Sequence, residues 1–158
     1  MLLVFMGASC TGKSSAADRI SRDRNLRIFT GKDYLRLDKN ENEARKKFKE
    51  MLYGASCSKD WTEESLIYIM TDKDDSESLK LSEHAVFVLF KADPSLVKER
   101  FSERMKGSLP KPLEMMLEKQ IKNWENVSCD LSFDTTDLKP DEITKRIIRF
   151  CEKDTEMI

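Results

Sequence analysis

The sequence predicts a three-layer α/β/α fold around a central five-stranded parallel sheet, and three observations carry the prediction. Short apolar runs at 2–6, 26–29, 66–70, 85–90 and 131–133 alternate with amphipathic helical stretches along the whole chain. The first run, LLVFM, is apolar at every position, as suits a strand covered on both faces by helices. It ends at Gly7 and passes through a glycine-containing loop straight into helix-forming sequence, so strand, loop and helix follow without a break.

The remaining elements follow from spacing and punctuation. Residues 14–24 carry good helix formers with Ala16, Ala17 and Ile20 at helical intervals, and Asn25 is positioned to end that helix. Residues 38–54 read as a second amphipathic helix, with Ala44, Phe48, Met51 and Leu52 on one stripe and Gly54 as the expected stop. After the strand at 66–70 comes an acidic loop, DKDDSES; after the strand at 85–90, Asp93-Pro94-Ser95 marks a helix start with Pro94 near its first position. KGSLPKP at 106–112 breaks that helix. A further helix at 113–125 is marked by Met116, Leu117, Ile121 and Trp124. A weak strand at 131–133 precedes a closing helix at 140–151 with Ile143, Ile147 and Phe150 inward.

Composition narrows the function classes. The 158 residues fit one domain, spanning 1–158, with the segments at about 38–64 and 105–112 as insertions on one sheet. With 28 Lys+Arg against 29 Asp+Glu the chain lacks the overall charge of a general nucleic-acid binder or a basic membrane-surface protein. No apolar run approaches the roughly 20 residues of a membrane span, and the opening run has no basic segment before it, so a cytoplasmic protein is expected. Cys10, Cys57, Cys129 and Cys151 form no CxxC pair and His84 is the only histidine, which argues against a Cys/His metal site and for reduced thiols. Phe87, Phe90, Phe101, Trp124 and Phe150 fall on inward stripes and are expected in the core, with His84 at a strand edge.

The strongest chemical signal is Gly7-Ala8-Ser9-Cys10-Thr11-Gly12-Lys13-Ser14, which satisfies G-x-x-x-x-G-K-[ST] at every fixed position. Backbone N–H groups of such a loop converge on phosphate oxygens, and the following helix, with Ser15 in its first turn, adds the positive end of its dipole. Lys13 neutralises the outer phosphates and Ser14 binds Mg²⁺, so ATP and Mg²⁺ are the expected cofactors.

On this motif and its setting the chain resembles the small P-loop kinases, the superfamily that includes nucleoside monophosphate kinases, gluconate kinases and shikimate kinases. The resemblance runs over nearly the whole chain and implies a P-loop NTPase fold and ATP-dependent phosphoryl transfer to a small anionic acceptor. Thr30-Gly31-Lys32-Asp33-Tyr34-Leu35-Arg36 is similar to the T-G-D-x-L-R element of adenylate-kinase-like enzymes, with Lys32 inserted. It implies that Arg36 grips an acceptor phosphate and that Asp33 stands where sugar and shikimate kinases carry their acid. Residues 40–61 are similar both to the acceptor-binding helices of adenylate-type kinases and to the N-x-x-K-M-x-x-G stretch of gluconate kinases. Arg45, Lys46, Lys47 and Lys49 there suit an anionic acceptor and equally suit a solvated helix face.

The run at 66–70 followed by Thr71-Asp72 has the form of a Walker B strand, which offers Asp72 as a second acidic partner of Mg²⁺ beside Asp33. Arg100 and Arg104 stand where the family carries R-x-x-x-R before its lid, here a short one at 105–112, and that resemblance assigns them to the transferred phosphate or the adenine. No second arginine pair follows at 113–125. Asp134-Thr135-Thr136 stands where related kinases pass the chain beside the adenine. The expected catalytic set is Lys13, Asp33, Arg100 and Arg104. The acceptor is a nucleotide or, alternatively, a gluconate- or shikimate-like metabolite, and a nucleotide-binding module without turnover is the third reading. Either a monomer or a homodimer is compatible with the chain, and no nucleic-acid or membrane partner is expected.

Overall fold

A computed structural model describes residues 1–76 and 79–156; the last two positions of the acidic loop, 77 and 78, lie outside the described residues. Five strands, β1 (Leu2–Met6), β2 (Arg27–Thr30), β3 (Leu66–Met70), β4 (Val86–Lys91) and β5 (Leu131–Asp134), form one sheet in the order β2-β3-β1-β4-β5. Every pairing is parallel, with Leu2 opposite Leu66, Leu3 opposite Val86, Arg27 opposite Leu66 and Val88 opposite Leu131. The helices are α1 (Lys13–Arg24), α2 (Glu41–Ser56), α3 (Pro94–Arg104), α4 (Lys111–Asn123) and α5 (Pro140–Glu156). This is the expected α/β arrangement, and no helix among the described residues is long and apolar enough to cross a membrane.

The strand period of two divides the core. Leu3 and Phe5 face α1 and α5, packing with Ala16, Ala17, Ile20, Ile143 and Ile147. Leu2, Val4 and Met6 face the other layer, packing with Phe48, Leu52 and Trp124. Every residue of β1 and β3 is buried, which is why both read as unbroken apolar runs. Phe5 and Phe90 touch across the strands at 5.0 Å between ring centroids, each fully buried and contributing about 2–3 kcal/mol by removal from water.

The structure departs from the sequence expectation at several points. Helix α2 runs past Gly54 to Ser56, because Ala55 and Ser56 are buried and the Ser56 hydroxyl donates to Tyr53 O while accepting from Ser82 N. Helix α4 starts at Lys111, so Pro112 lies in its first turn, where a proline lacks no needed donor. Met116 is 38% exposed rather than on the inward stripe, which Leu117 and Trp124 occupy. The caps at Asn25, left-handed at φ 55°, and at Asp93, accepting from Ser95 N, stand where the sequence placed them.

Candidate phosphate-binding site

The site forms where β1 ends between β3 and β4, at the carboxyl edge of the sheet, the usual ligand position in open parallel sheets. Gly7 N donates to Met70 O at 3.2 Å. At φ +147° a side chain on Gly7 would place its Cβ 2.4 Å from Phe90 O, so only glycine lets the loop leave the sheet here. The loop then turns through left-handed Cys10 (φ 62°) and Gly12 (φ 96°), the residue that caps α1 without a side-chain hydrogen bond. The first-turn N–H groups of α1 are thus left without a capping side chain.

Lys13 is the first residue of α1 and is only 5% exposed. Its Nζ donates to Gly7 O at 2.6 Å and to Ala8 O, with Thr11 Oγ1 at 3.5 Å. Burial pulls the ammonium down to about 7 from its ordinary 10.5; Cys10 acts in the opposite sense and Arg104 adds to the lowering. A buried cation satisfied only by neutral carbonyls suits a site for an anion. Ser14 and Ser15 lie exposed on the same first turn.

One wall comes from α3 and the exit of β5. Arg100 Nη1 donates to Cys10 O at 3.1 Å and Thr135 Oγ1 at 3.3 Å, and its Nη2 to Thr135 O at 3.2 Å. The Thr135 hydroxyl donates to Thr11 O at 2.8 Å. Thr135 therefore holds the loop from below, while Arg100 ties loop to strand exit. Arg104, one turn on, is exposed and lines a cleft of about 330 Å³ with Cys10, Gly12, Ser15, Thr135 and Leu138. The Thr136 side chain and then its N–H, both bonding to the Asp134 carboxylate, hold that carboxyl below the usual range, and Thr136 Oγ1 accepts from Asp93 N at 2.8 Å.

Helix α4 also meets the loop. Its Gln120 Oε1 accepts from Ser9 N at 3.0 Å, and one turn later Trp124 Nε1 donates to Thr71 O at 2.8 Å. Gln120 carries no signal in the sequence: periodicity shows which helix face is apolar, and a hydrogen bond spanning 111 residues leaves no periodic trace.

The acids stand on neighbouring strand ends. Asp72 follows β3, which adjoins β1, is exposed, and accepts from Asp74 N. Asp33, one strand further out, accepts from Thr30 N at 3.0 Å and pairs with Arg36 at 3.2 Å, Arg36 itself being largely exposed. Of the basic run on α2, Arg45 pairs with Glu41 and Lys47 with Asp38. Tyr34 stacks on Phe48 with centroids 5.8 Å apart, and the Arg45 guanidinium lies 5.8 Å from the Tyr34 ring.

These residues fit a polyphosphate, because the loop offers open N–H donors and a buried cation in the geometry such a group needs. They fit Mg²⁺ more sparingly. No three His, Cys, Asp or Glu side chains converge among the described residues, so a divalent ion would rest on Ser14, one acid and phosphate oxygens, a pattern usual for Mg²⁺.

No protein-family model matches the chain, and no curated protein sequence does. Solved structures do match in fold. A gluconokinase from Sinorhizobium meliloti superposes with a TM-score of 0.60 at 16% identity, over 98% of this chain and 95% of its own. A shikimate kinase from Acinetobacter baumannii, in complex with shikimate, matches with a TM-score of 0.61 at 12% identity over 97% and 93%. The YorR protein of Bacillus subtilis, in complex with phosphorylated GDP, matches at 0.61 and 21% identity over 99% and 98%. By its loop, strand order and helical layers, the chain has the fold of the small P-loop kinases.

Proposed function

We propose that the chain is an ATP-dependent phosphotransferase that moves the γ-phosphate to a small anionic acceptor, and most specifically a nucleotide-kinase-like enzyme. The observation that carries this reading is Lys13, buried at the entry to α1 with its ammonium on the Gly7 and Ala8 carbonyls. In this reading the loop from Gly7 to Ser15 and Lys13 hold the β- and γ-phosphates. Ser14 with Asp72 or Asp33 shares Mg²⁺, and Arg104 neutralises the transferred group, joined by Arg100 once its bonds to Cys10 O and Thr135 exchange. Phosphoryl transfer asks mainly for positioning and charge, which is what these groups supply. Arg36 is the acceptor-phosphate residue, and the half-buried Tyr34 with the exposed Arg45 near its ring suits a planar base. A cytoplasmic setting, where ATP and Mg²⁺ are at hand, fits this chemistry.

A second reading, a gluconate- or shikimate-like metabolite kinase, is favoured by Asp33, whose carboxylate at the exit of β2 suits a hydroxyl acceptor, and by the kinases the fold resembles. ATP consumption with Mg²⁺ against nucleoside monophosphates, gluconate, shikimate and related hydroxy acids separates the two. Stimulation by a nucleoside monophosphate supports the first and by a hydroxy acid the second. ATP binding without stimulation by any acceptor points to a nucleotide-binding module.

A further inference from the structure

The face of α4 that meets the core carries Leu117, followed at the helix cap by Trp124, both buried, and between them a half-buried glutamine. A polar side chain in that stripe breaks the helix's own pattern, the kind of local exception that marks function. Its carboxamide has one clear task. Since Ser9 N is a donor, the contact at 3.0 Å assigns Oε1 to it, an uncharged oxygen on a main-chain N–H of the phosphate loop. Lys13 is satisfied in the same fashion, by the Gly7 and Ala8 carbonyls. Two of the loop's phosphate-seeking groups are thus held by oxygens of the chain itself, one of them from a separate helix.

Besides the buried Leu117 and Trp124, that helix is held by a small set of polar contacts. Lys98 of α3 bridges Glu114 and Glu118, Gln120 holds the loop, and Trp124 holds Thr71 at the end of β3. Gln120 and Trp124 lie four residues apart, one turn along the same face. Release of the first therefore acts on the second.

We propose that Gln120 is a positioning residue that reads the state of the phosphate loop: its Oε1 holds Ser9 N–H while the loop is empty and yields it to a phosphate oxygen, freeing α4 to shift at Trp124. The inference rests on the loop binding polyphosphate, as the proposed function requires. The carboxamide is then a competitor of the anion, worth one net hydrogen bond, or about two- to tenfold in affinity.

The test uses the full chain with Trp61→Phe, which leaves Trp124 as the sole tryptophan and removes a buried indole N–H that has no hydrogen-bond partner. Inorganic tripolyphosphate is titrated by calorimetry and by tryptophan emission into this background and into Gln120→Met and Gln120→Glu made on it. Glu keeps an acceptor for Ser9 N–H, so it guards against a variant that fails to fold, and its charge opposes the anion. Gln120→Met is expected to bind about two- to tenfold tighter and Gln120→Glu more weakly than the background. The emission change that tripolyphosphate induces in the background is expected to be largely present in Gln120→Met before ligand is added. Equal or weaker binding by Gln120→Met, or a Trp124 emission unmoved while calorimetry records binding, overturns the inference alone. Absence of any binding by the background protein overturns it together with the proposed function.

Discussion

The hydroxyl of Thr135 donates to the main-chain carbonyl of Thr11 at 2.8 Å, joining the exit of the last strand to a loop 124 residues earlier. Thr135 is buried, and Arg100 donates to both its hydroxyl and its carbonyl. Thr135→Val keeps the shape and removes the bond, leaving a buried carbonyl unpaired. The expected cost is about 1–3 kcal/mol, a fall of roughly 3–10 °C in Tm for a chain of this size. Thr135→Ser keeps the hydroxyl and is expected to melt near the parent. Equal melting of the valine variant and the parent would show that the bond does not hold the loop.

Lys13 makes the site sensitive to pH. Its folded pKa of about 7 lies below the ordinary 10.5, so between these values the unfolded chain holds a proton that the folded chain has shed, and the Lys13 contribution to stability rises with pH across that window. A polyphosphate on the loop restores the charged form. Binding at pH 8 is therefore expected to take up protons, by up to about one per site, and uptake is expected to shrink toward pH 6, where Lys13 is already charged. Calorimetry of ATP binding in buffers of different ionisation heat measures it. Proton release at pH 8, or uptake unchanged in Lys13→Met, contradicts the assignment.

Cys10 offers a chemical probe of the same loop. It is half-buried, left-handed, and lines the cleft beside Arg100 and Arg104, whereas Cys57 is exposed at the end of α2. Saturating ATP with Mg²⁺ is expected to slow alkylation of Cys10 by iodoacetamide at least several-fold and to leave Cys57 unaffected, read by mass spectrometry of the two peptides. Equal slowing at both, or at neither, places the nucleotide elsewhere.

Much of the architecture is legible in the sequence. Strands β1 and β3 are buried on both faces, so every residue reports the same environment, and the glycines at 7 and 12 mark backbone turns that the loop requires. The end of α2 was not legible, because a Cβ on Gly54 would meet nothing within 4 Å: a glycine there neither caps nor packs, and burial of Ala55 and Ser56 carries the helix on. Arg100 and Gln120 show the deeper reason. A sequence reveals that an arginine lies near a loop, but its partners Cys10 O and Thr135 are fixed only when β5 has docked beside β4, and Gln120 meets Ser9 only when α4 has packed over the sheet.

In the proposed function the loop from Gly7 to Ser14 holds ATP through Lys13. Calorimetric titration of ATP with Mg²⁺ into the parent and into Lys13→Met tests it most directly, with circular dichroism to establish that both are folded. A loss of affinity of about 10- to 100-fold in the variant is expected from removal of charge-assisted hydrogen bonds to phosphate. Unchanged ATP affinity in a folded Lys13→Met protein would contradict the account.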